Sequence, residues 1–331
     1  MNIQNLSPQI FYEFKTKLEN EGYFKRTYLY YFLLIISTVS CFSFSIAILF
    51  LYNDSLLIQI VNAIFFGVIL TQIGIIGHDF SHNQVFKSPL KNKVGGIIAW
   101  SLFAGMSESK WYLNHNEHHK EVNHSEHDPD LQMPFIFDDE QIVYKKNSYH
   151  FLRKYQHLLF FLILPLVYPI YIIRSLGHDI KHITPLTVVE LVLMAVHYIL
   201  FFWLLFSNLS ILTAIVFIFL FSFVVGAYMG LIFAPNHKGM PMVAQDQKVE
   251  WWHQIVCTRN LYPNRFIFHI MGGLNYQIEH HLFTSIPRIN YPKVAPLIKQ
   301  FCSEHDLTYY ETSWTDSMKE IYTSLRRHRN I

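Results

Sequence analysis

The sequence predicts an all-α membrane protein: four transmembrane helices paired as two hairpins, and a cytoplasmic helical cap carrying a histidine-ligated site for two metal ions. Three observations predict it. Only 15% of the residues are charged, where a soluble domain carries about 25%, and the apolar residues gather in long runs. Lys and Arg are confined to 1–26, 87–181 and 238–329. Histidines cluster at matching short spacings just outside the apolar runs.

Residues 1–27 are polar and of mixed charge, and form a cytoplasmic N-terminal segment. They are not the short basic start of a signal peptide, so the run that follows is read as a retained span. The spans are 28–51, 55–76, 186–206 and 209–233, each near the ~20 residues that cross a bilayer. No acid or base lies between Arg26 and Asp54, and Glu190 is the only charge in 186–235. The turns 52–54 and 207–208 are short and lack a base. If they face outward, every Lys and Arg faces the cytoplasm, as the positive-inside rule favours.

Two shorter apolar stretches are assigned differently. Residues 94–106 are too short to span. Residues 158–173 are interrupted by Pro165 and Pro169. Both are read as interfacial or re-entrant, so 77–185 and 234–331 form the cap of one domain covering 1–331. The apolar content excludes disorder, and a net charge of +2 gives no reason to expect nucleic acid. Cys41 lies in the first span. Cys257 and Cys302 lie in cytoplasmic segments, where a structural disulfide is not expected.

Four histidine clusters follow. His78 and His82 are spaced i, i+4, on one helical face directly after the second span. His115, His118 and His119 are spaced i, i+3, i+4. His237 directly follows the fourth span. Gln277, His280 and His281 repeat the second spacing, with Gln in first place. All lie on one side of the membrane provided that 94–106 and 158–173 do not cross. Eight histidines exceed what one ion uses and suit two. Neutral imidazole favours Fe, Cu or Zn over the oxygen-seeking Mg or Ca. Asp79, Glu117, Asn123, Asp128, Asp130 and Glu279 are near enough in sequence to hold the far ring nitrogens. His150, His157, His178, His182, His253, His269, His305 and His328 are read as ordinary interfacial polar residues. His124 and His127 are weaker ligand candidates. His197, inside the third span, is either functional or a neutral ring bonded to a neighbouring helix.

With these motifs the sequence resembles the membrane fatty acid desaturases, over roughly Leu57 to Tyr309. The family's three histidine boxes read here His78-Asp-Phe-Ser-His82, His115-Asn-Glu-His118-His119 and Gln277-Ile-Glu-His280-His281. "GGLNYQIEHHLF" (272–283), the "DPDL" after the second box and "YPKVAPLIKQFC" (291–302) are similar to the front-end group, which inserts a double bond on the carboxyl side of an existing one. The resemblance implies a di-iron centre on the box histidines with His237 as a further ligand, and O2 as co-substrate. Gln277 stands where many relatives have histidine, as a weak ligand or as the holder of an iron-bound water.

The resemblance further implies a cis double bond placed in a lipid-linked or CoA-linked acyl chain. No HPGG haem motif occurs, so the expected electron donor is a separate ferredoxin or cytochrome b5. Arg326, Arg327 and Arg329 would meet an acidic donor or hold the tail at an anionic membrane surface. A lipid hydroxylase or ketolase would use the same metal set. A metal transporter or sensor would need ionisable residues along a route through the spans, and these helices offer Gln59, Asn62, Gln72 and His197 but almost no acids.

Overall fold

Helices form where the apolar runs and their caps dictate. The computed structural model describes residues 6–132, 136 and 150–327; Arg329 and His328 lie outside the described residues. Ser7 caps α1 (Pro8–Asn20), its Oγ accepting the Gln9 N–H. The first two apolar runs become α2 (Tyr28–Leu51) and α3 (Leu56–Ser81), with Ser55 capping the latter. Then come α4 (Pro89–Ile97), a π-helical turn at Ile98–Phe103, and α5 (Glu108–Lys120), whose Lys110 N–H is accepted by Ser107. Next are α6 (Gln156–Ile163), a 3₁₀ turn at Leu164–Leu166, and α7 (Val167–Lys181). A Thr184–Thr187 capping box with Pro185 at N1 starts α8 (Pro185–Asn208), and α9 (Ile211–His237) follows.

Short elements complete the chain: α10 (His253–Val256), β1 (Asn260–Leu261), α11 (Arg265–Ile270), α12 (Gln277–Leu282), α13 (Tyr291–Glu304), β2 (Glu311–Thr312) and α14 (Trp314–Arg327). The two strands are a two-residue parallel pair, Asn260 opposite Glu311. The architecture is otherwise helical, as expected.

The chain divides into two compact units. One comprises Arg26–Tyr112 and Leu164–Leu231. Its α2 and α3 are pinned by Ser45 Oγ donating to Asn62 Oδ1 at 2.6 Å, with Asn62 and Gln59 donating in turn to the carbonyls of Ser45, Ile48 and Tyr52. These amides therefore serve helix packing; polar groups in an apolar surround must be paired. Phe66 anchors an aromatic cluster with Phe42, Phe201, Phe217 and Phe221. His197 is bonded to the Leu102 carbonyl at 2.9 Å, the second of its two anticipated roles. Outward faces are apolar: Leu29, Phe32, Phe44, Ile199 and Trp203 are all exposed, as lipid-facing helices require.

Five helical runs among the described residues are long and apolar enough to cross a membrane: the four expected and Leu152–Lys181. Pro165 interrupts the fifth, as expected, in the 3₁₀ turn between α6 and α7, whereas Pro169 sits in the first turn of α7, where no helical partner is lost. α3 and α9 also run past the predicted ends at 76 and 233, so that His78 and His237 lie on helices. Polar residues extend a helix cheaply once it is nucleated.

The depth of α7 is fixed within this unit. The carbonyl of Pro165 lies against Gly226, in the middle of α9, while Asp179 accepts the Ser107 hydroxyl at 2.8 Å. That hydroxyl also reaches Glu190, near the start of α8. A Cβ at Gly226 would stand 2.1 Å from the Pro165 oxygen. Gly226→Ala is therefore expected to cost at least the ~1–3 kcal/mol of overpacking, seen as a melting temperature several degrees lower in detergent. An unchanged melting temperature would mean that α7 does not pack here.

The second unit comprises Met1–Lys25, Leu113–Ile163 and Ile232–Ile331. Its core joins Phe14 and Leu18 of α1 to Ile278 and Leu282 of α12, and to Tyr291, Val294, Ile298 and Phe301 of α13. Phe14 stacks on Phe301 at 4.3 Å, and Phe11 on Phe283 at 5.4 Å. The N-terminal helix is thus a structural part of the unit that carries the third histidine box. Gln156 of α6 donates to the Leu325 carbonyl of α14 at 2.9 Å.

Candidate metal centre

Each histidine cluster is presented by its own helix. In α5 the i, i+3, i+4 spacing puts His115, His118 and His119 on one face. In α12, Gln277, His280 and His281 repeat it over a helix of 6 residues. So short a helix needs outside support, and Asn260 supplies it. Asn260 Oδ1 accepts the Ile278 N–H at 2.9 Å, and Asn260 Nδ2 donates to Glu279 at 2.7 Å. The turn leading into α12 uses two successive left-handed glycines, Gly272 and Gly273 (φ 59° and 82°), a conformation that costs other residues strain.

Three segments far apart in the chain bring their imidazoles together. One ring nitrogen each from His118, His237 and His281 lies within 4.8 Å of the other two. Two nitrogens each ~2.1 Å from one ion are at most about 4.2 Å apart, so only a small contraction would place all three on a common metal. The rings of His118 and His237, and of His237 and His281, are 4.6 Å apart.

The far nitrogens of His118 and His281 are held. His118 Nδ1 donates to both oxygens of buried Asp128 at 3.0 Å, while Asp128 also accepts the backbone N–H groups of Asn123 and Asp130. His281 Nδ1 donates to Gln254 Oε1 at 2.8 Å, and Gln254 Nε2 donates to the His119 carbonyl. This leaves His281 Nε2 buried with no hydrogen-bond partner among the described residues. A buried polar atom without a partner is costly; a metal ion at this position would satisfy it. The donor set, all imidazole nitrogen with carboxylate and amide orienters behind it, fits a first-row transition metal.

Beside these three, His119 Nε2 lies 3.1 Å from His115 Nε2. The His119 ring is 4.8 Å from His280 and 4.2 Å from His281. His280 Nδ1 bonds the hydroxyl of buried Tyr291 at 3.1 Å. In the other unit, His78 and His82 lie 4.6 Å apart at the end of α3, and His78 Nδ1 is 3.5 Å from Asp79. Trp111 meets the His78 ring edge-on at 5.6 Å.

Electrostatics separates the rings. Burial opposes charge on His118, but Asp128 and Asp130 overcome it and raise that ring to about 9. A metal would therefore displace a proton from it. Burial, with the neighbouring His119, His237 and His118, holds His281 well below the ordinary imidazole range, neutral and ready to ligate. Burial lifts Glu279 to about 7 against the hydrogen bonds of Tyr309 and Asn260.

Gln277 Nε2 is 2.9 Å from His237 Nε2. Asn123, a possible ring acceptor by sequence, instead donates toward the carbonyls of His237, Pro241 and Cys257, and so braces the end of α9. Glu279 faces Asn260 and Tyr309 and not a ring. Glu117 pairs with Lys120. Asp130 reaches His118 only as a 3.7 Å ion pair. His124 has both ring nitrogens engaged, by the Gln247 carbonyl and by the N–H groups of Glu126 and His127, and has no site for a metal. Gln254, Tyr291 and Asn236 were missed by sequence, because no spacing ties them to the boxes.

A family model described as fatty acid desaturase matches residues 55–313. The chain is 30% identical over 329 residues to an acyl-lipid (9-3)-desaturase of Physcomitrium patens, covering 96% of this chain and 62% of the relative. It is 29% identical over 336 residues to the Delta(5) fatty acid desaturase fat-4 of Caenorhabditis elegans, covering 97% and 73%. A fatty acid desaturase 2-like protein of Mus musculus is 26% identical over 335 residues, with 97% and 66% covered. The chain thus spans under two thirds of the length of the moss relative. The matched region takes in all three histidine boxes and His237, and the chain belongs to the fatty acid desaturase family.

Proposed function

We propose that the chain is an O2-dependent fatty acyl desaturase that places a cis double bond in a lipid-linked or CoA-linked acyl chain. The observation that carries this reading is the meeting of His118, His237 and His281 from three separate segments, with an unpartnered nitrogen on His281. The ligands are His78, His82, His115, His118, His119, His237, His280 and His281, holding two iron ions, with Gln277 beside them. Reduced iron with O2 supplies the oxidising power that an unactivated methylene pair demands and that no side chain has. O2, two electrons and two protons with the two hydrogens removed from the chain leave as two waters.

The residues' own work is orientation. Asp128 keeps the proton of His118 on Nδ1 and aims Nε2 inward. Gln254 does the same for His281, and Tyr291 fixes His280. The relatives' names, acyl-lipid (9-3) and Delta(5), together with Gln277, support insertion on the carboxyl side of an existing double bond. Electrons come from a ferredoxin or cytochrome b5 type donor, for which Arg326 and Arg327 offer positive charge.

The topology we favour has four spans, 28–51, 55–76, 186–206 and 209–233, with 77–185 and 234–331 as a cytoplasmic cap of a single domain. The run 152–181 is re-entrant. This agrees with Pro165 standing at mid-depth of α9 while Asp179 lies by the start of α8, and with the confinement of Lys and Arg to one side.

The test is expression in a host of simple fatty-acid content, with candidate acids fed, a reductase partner supplied and products located by mass spectrometry. A new double bond on the carboxyl side of an existing one is expected. An added oxygen without an alkene would replace desaturation by hydroxylation, and no new lipid would end the reading.

A further inference from the structure

Gln277 opens the third box where a ligand is expected, and an amide has two unlike ends. Its oxygen can ligate a metal; its nitrogen, with the lone pair spent in the amide bond, cannot and only donates. Which end faces the histidines decides what the residue does. The amide of Asn236, one residue before His237, settles this through an unbroken chain of donors.

One end of the Asn236 amide lies 3.2 Å from the Ile232 carbonyl oxygen and 3.0 Å from the Gln277 amide. An oxygen there would face another oxygen across the first contact, so this end is the NH2 group. Asn236 Oδ1 is the opposite end, buried, with no hydrogen-bond partner among the described residues. The Gln277 atom that Asn236 reaches must then accept, and is Oε1. What remains is Gln277 Nε2, 2.9 Å from His237 Nε2. Asn236 and Gln277 are both buried, so water does not compete for these bonds.

We propose that Gln277 is a positioning donor and not a metal ligand: Asn236 holds its N–H group toward the metal position shared by His118, His237 and His281. The proposal rests on the metal reading above. When His237 gives its Nε2 lone pair to a metal, the Gln277 N–H loses its acceptor and points to the neighbouring position. A histidine in place of Gln277 would fill that position. Glutamine leaves it open and lines it with a donor, which favours a small anion or polar oxygen there.

The test uses purified oxidised protein, with azide as the probe of open positions on iron and metal analysis alongside. Gln277→Leu is expected to keep the iron content and melting temperature of the parent and to bind azide about tenfold or more weakly, the usual scale of a hydrogen bond to a charged group. Asn236→Leu frees the amide to turn and is expected to weaken azide in the same direction with iron retained. Loss of iron from a Gln277→Leu protein that still melts like the parent would make Gln277 a ligand and overturn the proposal. So would an Asn236→Leu protein that binds azide as tightly as the parent, because a ligating Oε1 would have no need of Asn236. Parent protein that is active and free of iron would instead sink the metal reading itself.

Discussion

His281→Ala is expected to lose double-bond formation entirely and to carry less iron than the parent. The side chain is buried among four other imidazoles, His118, His119, His237 and His280, and its Nε2 has no hydrogen-bond partner among the described residues. Alanine removes a ligand, and nothing nearby takes its place: Gln254, freed from Nδ1, is anchored on the His119 carbonyl. The loss should exceed the ~10–100-fold that removing an outer partner of a ligand costs. Iron analysis and lipid mass spectrometry on the same preparation check it. Parent-level product from His281→Ala would remove this histidine from the centre.

Asp128→Ala is expected to lower iron affinity or activity by about 10–100-fold without abolishing either. Asp128 is fully buried, and it takes both His118 Nδ1 bonds and two backbone N–H groups. Its loss frees the tautomer of His118, so that Nε2 no longer faces inward with a fixed lone pair, and it leaves the Asn123 and Asp130 N–H groups to find water. Asp128→Asn keeps the shape but offers only one oxygen, and should fall between parent and alanine. Competition with a chelator measures the affinity. An Asp128→Ala protein that holds iron as tightly as the parent would show that the carboxylate serves the loop alone.

How much was legible in the sequence follows from the range of each interaction. The box spacings are local: i, i+3, i+4 on a helix fixes a common face, so the shared face of His115, His118 and His119, and that of Gln277, His280 and His281, was legible from letters alone. Apolar runs are local too, and the four expected runs reappear as helices long and apolar enough to cross a membrane, with ends shifted by a few residues. Orienting partners are long-range. Gln254 and Tyr291 hold His281 and His280 across 27 and 11 residues, and no pattern announces them. Asp128 was reachable because it lies in the loop just after its ring.

Adjacency also misled. Glu279 is next to His280, but neighbours on a helix point about 100° apart, and it turns away to Tyr309 and Asn260. Asn123 looked like a ring acceptor, yet its left-handed backbone (φ 51°) and amide brace carbonyls near α9. Pro165 does interrupt 158–173, with a 3₁₀ turn between α6 and α7, while Pro169 in the first turn of α7 breaks nothing, and the run 152–181 is still long and apolar enough to cross a membrane.

The most direct test of the account is metal analysis of the full chain, purified in detergent in a form that converts a fed acyl substrate. The account predicts two irons per chain, removed together with activity by a chelator and restored together by ferrous iron. Full activity in protein free of iron would contradict it.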